Sequence, residues 1–582
     1  MRETVRLTVE RDVAMPMRDG TVLYADVYRP EGAGRHPVIL LRTPYNKGLP
    51  RVAYSQLDPM RTASRGYALV VQDTRGRFAS EGEFSCFRHE VEDGYDTVEW
   101  VARAPWSDGK VGMYGASYMG ATQWLAALAR PPHLRCIVPM ITASDYHEGW
   151  TYQGGAFALG FNLSWTLANL VLPNLAHFKL APGELAAVRG ELIEAVDRMC
   201  EPFEHLPLAD YPLLRKHRLA DYYYDWLAHP EDDAYWRAWN IEARHPQITV
   251  PSLNIGGWHD IFLGGTIRNY TGMRRNGHTA EARSPRLVIG PWIHGLMWPN
   301  VNGEVDYGVL SQGLAIDLDG ILLRWFDHWL RGIDTGLLGE PPVKLFVMGQ
   351  NAWRDEADWP LARARDTRFY LHSDGHANAL GGDGHLSTDA PSTEPPDHYL
   401  YDPRDPVPTR GGALCCWQGA VPGGAFDQRP VEARRDVLVY TTPPLTEAVE
   451  VIGPITMKLW AASSAPDTDF TAKLVDVEPS GYARNLTDGV VRARYRESPS
   501  RAAFIEPGRV YEYTIDLWAT ANVFKPGHRI RLEVSSSNFP RFDRNPNTGR
   551  PLGVDAELRP AMQTVLHDAT HPSHVVLPVI GS

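Results

Sequence analysis

The tightest constraint on the fold is a set of short, uninterrupted apolar runs in the first half of the chain. They are His36-Pro37-Val38-Ile39-Leu40-Leu41, Tyr67-Ala68-Leu69-Val70-Val71, Val111–Tyr114, Cys136–Ile141, Val250–Ile255 and Arg286–Ile289. A strand with one face in water alternates apolar and polar residues, so a continuous run implies a strand covered on both faces. Helical spacing separates some of them: Val91, Tyr95, Val98 and Val101 recur every three or four residues and stop at Ala104-Pro105. Strand and helix alternating in this way predict an α/β unit with a mostly parallel sheet between helical layers. Residues 5–30 alternate instead and read as antiparallel strands at one edge.

Two changes of character divide the remaining chain. Between about Asp145 and His245 the alternation gives way to Leu-, Ala-, Trp- and Tyr-rich helical spacing, as in Leu185, Val188, Leu192 and Val196. This is expected to be a helical cap over the sheet, with an independent helical domain as the alternative. From about Pro360, Gly, Pro and Asp punctuate short β-prone runs such as Val437–Tyr440, Ile455–Trp460 and Ile530–Val534. Regular short strands of this kind predict a β sandwich or jelly roll. The expected division is 1–144 and 246–358 for the α/β domain, 145–245 for the cap and 359–582 for the β domain. The Gly/Ser/Asp-rich stretch 375–396 reads as a surface loop.

Composition narrows the function. The 582 residues carry a formal net charge of −12, which excludes nucleic acid or an anionic membrane as the main partner. The five cysteines form no CxxC pair, so neither a disulfide framework nor a zinc site is indicated. The first residues are too charged for a signal peptide, and no apolar run is long enough to span a membrane, so a cytoplasmic location is expected. A homodimer stays open.

Chemistry concentrates at the ends of the buried runs. Gly115-Ala116-Ser117-Tyr118-Met119-Gly120 follows one of them and opens a helical pattern. It is close to the G-x-S-x-G elbow that presents a nucleophilic serine above a sheet, with the second glycine one place late. Such a serine needs a base, and the base needs a carboxylate to orient it. In the expected order, Asp260 follows one later run and His294 the next. An anion-stabilising pair is offered by the N–H of Tyr118 and the phenol of Tyr45, which lies just past the first buried run. His259, Asp260 and His294 are also metal-compatible types, but no HxH or HxxxH spacing supports a metal, and none is expected.

These motifs together resemble the cocaine-esterase branch of the CocE/NonD hydrolases, relatives of α-amino-acid ester hydrolases and X-Pro dipeptidyl peptidases. The resemblance runs through Arg42–Tyr45, Gln72–Gly76, Ala79–Phe84, Gly115–Gly120, Gly256–Phe262, Gly290–His294, Asp467–Val477 and Ser535–Pro540. It implies an α/β-hydrolase domain with an inserted cap and a C-terminal jelly roll. It further implies Ser117 as nucleophile, His294 as base, Asp260 as its orienter, Tyr45 with Tyr118 as oxyanion hole, and no cofactor. By the same resemblance Gln56, Trp150, Trp165 and Phe262 line the substrate pocket; the aromatics among them could equally be core of the cap. Two stretches depart from that pattern: the cap from Leu167 to Asn240, and Gly411–Cys416, where Cys415 and Cys416 replace larger apolar side chains.

The expected activity is therefore hydrolysis of small-molecule carboxylic esters through an acyl-enzyme. A base that must start neutral makes that activity fall in acid. The rival is an amide or peptide hydrolase, an X-Pro dipeptidyl peptidase or a β-lactam side-chain acylase. Its substrates carry an α-ammonium that wants carboxylates, for which Glu148, Asp221, Asp225, Asp232 and Asp233 are the cap candidates. A non-catalytic protein binding sugar through the jelly roll is the rival from another class.

Overall fold

The computed structural model describes residues 6–53, 57–295 and 297–581. Gln56 lies outside them. The apolar runs form the centre of a ten-stranded sheet made of β1 (Leu7–Pro16), β2 (Val22–Pro30), β3 (His36–Thr43), β4 (Ala68–Asp73), β5 (Ser107–Ala116), β6 (Leu134–Met140), β7 (Leu253–His259), β8 (Arg286–Ile293), β9 (Val343–Val347) and β10 (Ala352–Glu356). Their spatial order is β1-β2-β4-β3-β5-β6-β7-β8-β9-β10. Pairing is parallel from β4 through β9 and antiparallel at both edges. The edge hairpin β9–β10 was not anticipated, because its apolar alternation is only a few residues long.

Alternate residues of each central strand enter different cores. Val38, Leu40, Ala68 and Val70 pack with Trp124 and Leu125, while Ile39, Leu41, Leu69 and Val71 pack with Leu322, Trp325 and Phe326. The first face is covered by α1 (Glu90–Arg103) and α2 (Tyr118–Leu128), the second by α4 (Leu318–Arg331); α3 (Leu263–Asn276) follows β7. Helix and strand approach closely where glycine allows it. A Cβ on Gly112 of β5 would lie 2.7 Å from the Phe326 ring.

The insert folds as short helices and one small hairpin. The helix Pro182–Asp197 buries Val188, Leu192 and Val196, and these belong to the same hydrophobic cluster as Val38 and Trp124. The insert therefore shares the core of the α/β domain and is a cap. Between Trp165 and Val171 the cap adopts a π-helical turn.

The C-terminal half is all β. The expected runs fall on strands Leu438–Thr441, Val449–Ser463 and Arg529–Ser535 of an eleven-stranded network, the first strand starting one residue after Val437. Its core includes Leu459, Phe470 and Leu532, and it continues onto Leu287, Ile289 and Leu345 of the first sheet. The two sheets are thereby welded by apolar contact. Two expectations need correction. The 375–396 loop contains a short strand, His385–Ser387, paired with Ala364–His372. Cys415 and Cys416 form a disulfide between adjacent residues, which the search for spaced pairs could not reveal. Among the described residues no helix is long and apolar enough to cross a membrane.

Candidate active site

The turn from β5 into α2 presents Ser117 at φ 61°, ψ −124°. For a residue with a Cβ this backbone is strained, by about 1–3 kcal/mol. The flanking glycines make the turn possible by proximity. A Cβ on Gly115 would fall 2.6 Å from that of Met119, and one on Gly120 would fall 2.8 Å from that of Thr142. The late second glycine is thus the residue at which α2 crosses the end of β6. The Ser117 N–H donates to the carbonyl of Met140 at 2.9 Å, which ties the turn to the neighbouring strand. Tyr118 is the first residue of α2, so its N–H has no carbonyl inside the helix to meet.

Strands β7 and β8 end beside this turn. His294, one residue past β8, has Nε2 3.0 Å from Ser117 Oγ and Nδ1 2.6 Å from Asp260 Oδ1. Asp260 is fully buried, and its other oxygen accepts the Phe262 N–H at 3.1 Å. The Asp260 contact fixes the imidazole with Nδ1 as donor, leaving Nε2 free to accept from the serine. The edge of the Phe262 ring system meets the imidazole at 5.1 Å between centroids. Ser117 and Tyr45 keep partial exposure while Asp260, Tyr118 and Trp165 are buried, so the relay is open at its serine end and sealed at its carboxylate end.

Tyr45 faces the serine from the loop after β3. Its hydroxyl accepts the Trp165 indole N–H at 3.0 Å. Desolvation, the largest influence, pushes the phenol up to about 12, with hydrogen bonding to Trp165 and Ser117 acting the other way. The phenol is therefore neutral, with its proton available to donate. The ring of Tyr118 points elsewhere: its hydroxyl donates to Glu90 Oε1 at 3.1 Å and accepts the Phe87 N–H at 2.9 Å. Glu90 in turn accepts from Arg42 Nη1 at 2.6 Å, and both ends of this ion pair are buried. Arg42 and Glu90 were missed from sequence, since nothing local marks two residues 48 apart as partners.

Trp150, Trp165 and Phe262 come together as one aromatic cluster. Trp150 stacks on Phe262 with centroids 4.2 Å apart, and Trp165 meets Trp150 edge-on at 5.5 Å. Each is at most 1% exposed, so they support the wall of the site more than they present surface. Three of the cap carboxylates already have partners of their own. Glu148 accepts the Gly154 N–H, Asp221 pairs with Arg218 and Asp233 with His229. His259 also parts from its neighbour: its Nε2 meets the Tyr307 hydroxyl at 2.9 Å, and burial pushes it down to about 3. Among the described residues no group of three or more His, Cys, Asp or Glu is placed to hold a metal ion.

The class these features belong to is the serine hydrolases. A family profile described as X-Pro dipeptidyl-peptidase (S15 family) matches residues 19–296, and one for the X-Pro dipeptidyl-peptidase C-terminal non-catalytic domain matches 336–576. The chain belongs to this family, in its CocE/NonD group. The cocaine esterase of Rhodococcus sp. (strain MB1 Bresler) is 42% identical over 579 residues, covering 98% of this chain and 99% of its own. Among solved structures, an aminopeptidase from a marine sediment Thaumarchaeota archaeon superposes with a TM-score of 0.78 at 27% identity, covering 100% and 99% of the two chains. An α-amino acid ester hydrolase gives 0.76 at 26%, covering 98% and 96%.

Proposed function

We propose that this chain hydrolyses esters through an acyl-enzyme on Ser117. Oγ attacks the ester carbonyl while His294 Nε2 takes its proton, and Asp260 holds the resulting imidazolium. The carbonyl oxygen becomes an anion between the Tyr118 N–H and the Tyr45 phenol. Collapse expels the alkoxide, which receives the proton from His294, and water repeats the sequence to release the acid. The observation that carries this reading is the continuous relay of 3.0 Å and 2.6 Å from serine to imidazole to carboxylate. The test is Ser117→Ala: p-nitrophenyl ester turnover should fall by about 10⁴-fold or more and fluorophosphonate labelling should vanish. Turnover near wild type would end the proposal.

Trp150, Trp165 and Phe262 are assigned to the wall behind the substrate pocket, where their packed rings favour an apolar acyl group. The names of relatives include an aminopeptidase at 27% identity and a cocaine esterase at 42%, and the higher identity to the esterase favours ester cleavage. Comparing p-nitrophenyl esters with aminoacyl-proline anilides separates the two readings.

A further inference from the structure

Arg77 is 2% exposed and differs from most buried arginines of the chain. Arg42 pairs with Glu90, Arg75 with Asp93, Arg484 with Asp476 and Arg492 with Asp469. Among the described residues Arg77 meets no carboxylate. Its Nε donates to the carbonyl of Pro44 at 2.7 Å, Nη1 to that of Leu170 at 2.7 Å, and Nη2 to that of Asn169 at 3.5 Å. The rings of Phe84 and Phe78 cover the cation at 4.9 and 5.0 Å. The titratable groups that act on it most strongly are Tyr222, Cys86, Tyr45 and Tyr118, and burial pushes each of them up, so all four are neutral. A buried cation without a counter-ion is expensive, and folds keep such groups where the charge is used.

The acceptors show the use. Pro44 immediately precedes Tyr45, while Asn169 and Leu170 belong to the π-helical turn Trp165–Val171. The guanidinium therefore bridges the same two segments that meet through the Trp165–Tyr45 hydrogen bond. We propose that Arg77 is a positioning residue for the tetrahedral anion, fixing the Tyr45 phenol against the cap and placing an unneutralised positive charge behind it. This rests on the function proposed above. The planar fork suits the task, since it reaches carbonyls on separate segments at once. The charge favours the anionic intermediate over the neutral ester, so its contribution falls on kcat and not on KM.

The test is a double-mutant cycle of Arg77→Met and Tyr45→Phe on p-nitrophenyl esters, with phenylboronate as the tetrahedral-anion mimic. Arg77→Met is expected to lower kcat by about tenfold or more, with KM changed less than about threefold. Phenylboronate affinity should fall in parallel. In the Tyr45→Phe background the loss should shrink by about threefold or more, because the phenol it positions is gone and only the direct effect of the charge is left. Arg77→Lys retains charge but not the fork; it is predicted to recover only part of kcat, and it is read in the same cycle if the Met variant does not fold. Wild-type kcat, unchanged phenylboronate affinity, or an equal loss in both backgrounds would overturn the inference. Ester turnover surviving in Ser117→Ala would instead overturn the mechanism it rests on, so the two failures are distinct.

Discussion

Tyr45→Phe removes one hydroxyl and nothing else, and the structure sets two separate costs for it. The hydroxyl accepts the Trp165 indole N–H at 3.0 Å, and Trp165 is 1% exposed. Losing a buried acceptor leaves that N–H unpaired and costs about 1–3 kcal/mol of stability. The same hydroxyl is the side-chain donor of the proposed oxyanion hole. Removing one such donor costs about 2.7–4 kcal/mol of transition-state stabilisation, a loss of about 10²–10³ in kcat. Urea unfolding reads the first cost. Steady-state turnover of a p-nitrophenyl ester, corrected for active sites titrated with a fluorophosphonate, reads the second. The two differ in kind: a destabilised variant has fewer active molecules, whereas a variant lacking the donor has a full complement of slow ones. Full titration with kcat within about threefold of wild type would refute Tyr45 as an anion stabiliser. A rise in KM alone would reassign it to the ground-state wall.

Two other perturbations test the supports of the site and of the β domain. Glu90→Ala strips the buried partner from Arg42 and the acceptor from the Tyr118 hydroxyl, and it should cost about 3–5 kcal/mol in urea unfolding; a loss below about 1 kcal/mol would show that the pair is dispensable. His567 is fully buried between Asp397 and Glu394, at 3.0 and 3.2 Å. Burial pulls its pKa down, but the two carboxylates prevail and the net shift is upward. Its stabilising contribution is therefore complete below the ordinary histidine range and fades as pH rises through the raised value. Urea unfolding followed from about pH 6 to 9 should show this decline, and His567→Gln should flatten it; a decline of the same size in the variant would exclude His567 as its source.

Which segments are buried strands, and where the chemistry-bearing residues sit along them, can be read from the order of amino acids alone. The runs at residues 36–43, 68–73 and 286–293 are legible because burial on both faces is written into consecutive side chains. Gly115, Ser117 and Gly120 are legible because a strained turn restricts its neighbours within a few positions. The order Ser117, Asp260, His294 is legible because loops after strands are local features. What lies across the fold is not. The small hairpin β9–β10, the Arg42–Glu90 pair and the Cys415–Cys416 bridge carry no distinguishing period or spacing. The aromatic residues of the cap read equally well as core or pocket, and that Trp150, Trp165 and Phe262 pack on one another is visible only in the fold. That the ends of β5, β7 and β8 meet at one edge of the sheet, and that Arg77 spans from the Tyr45 loop to the cap, emerges with folding. The physical reason is range. Hydrophobic periodicity and turn strain act over a few residues, whereas a proton relay and a buried cation depend on segments that only the packing of two shared cores brings within 3 Å of one another.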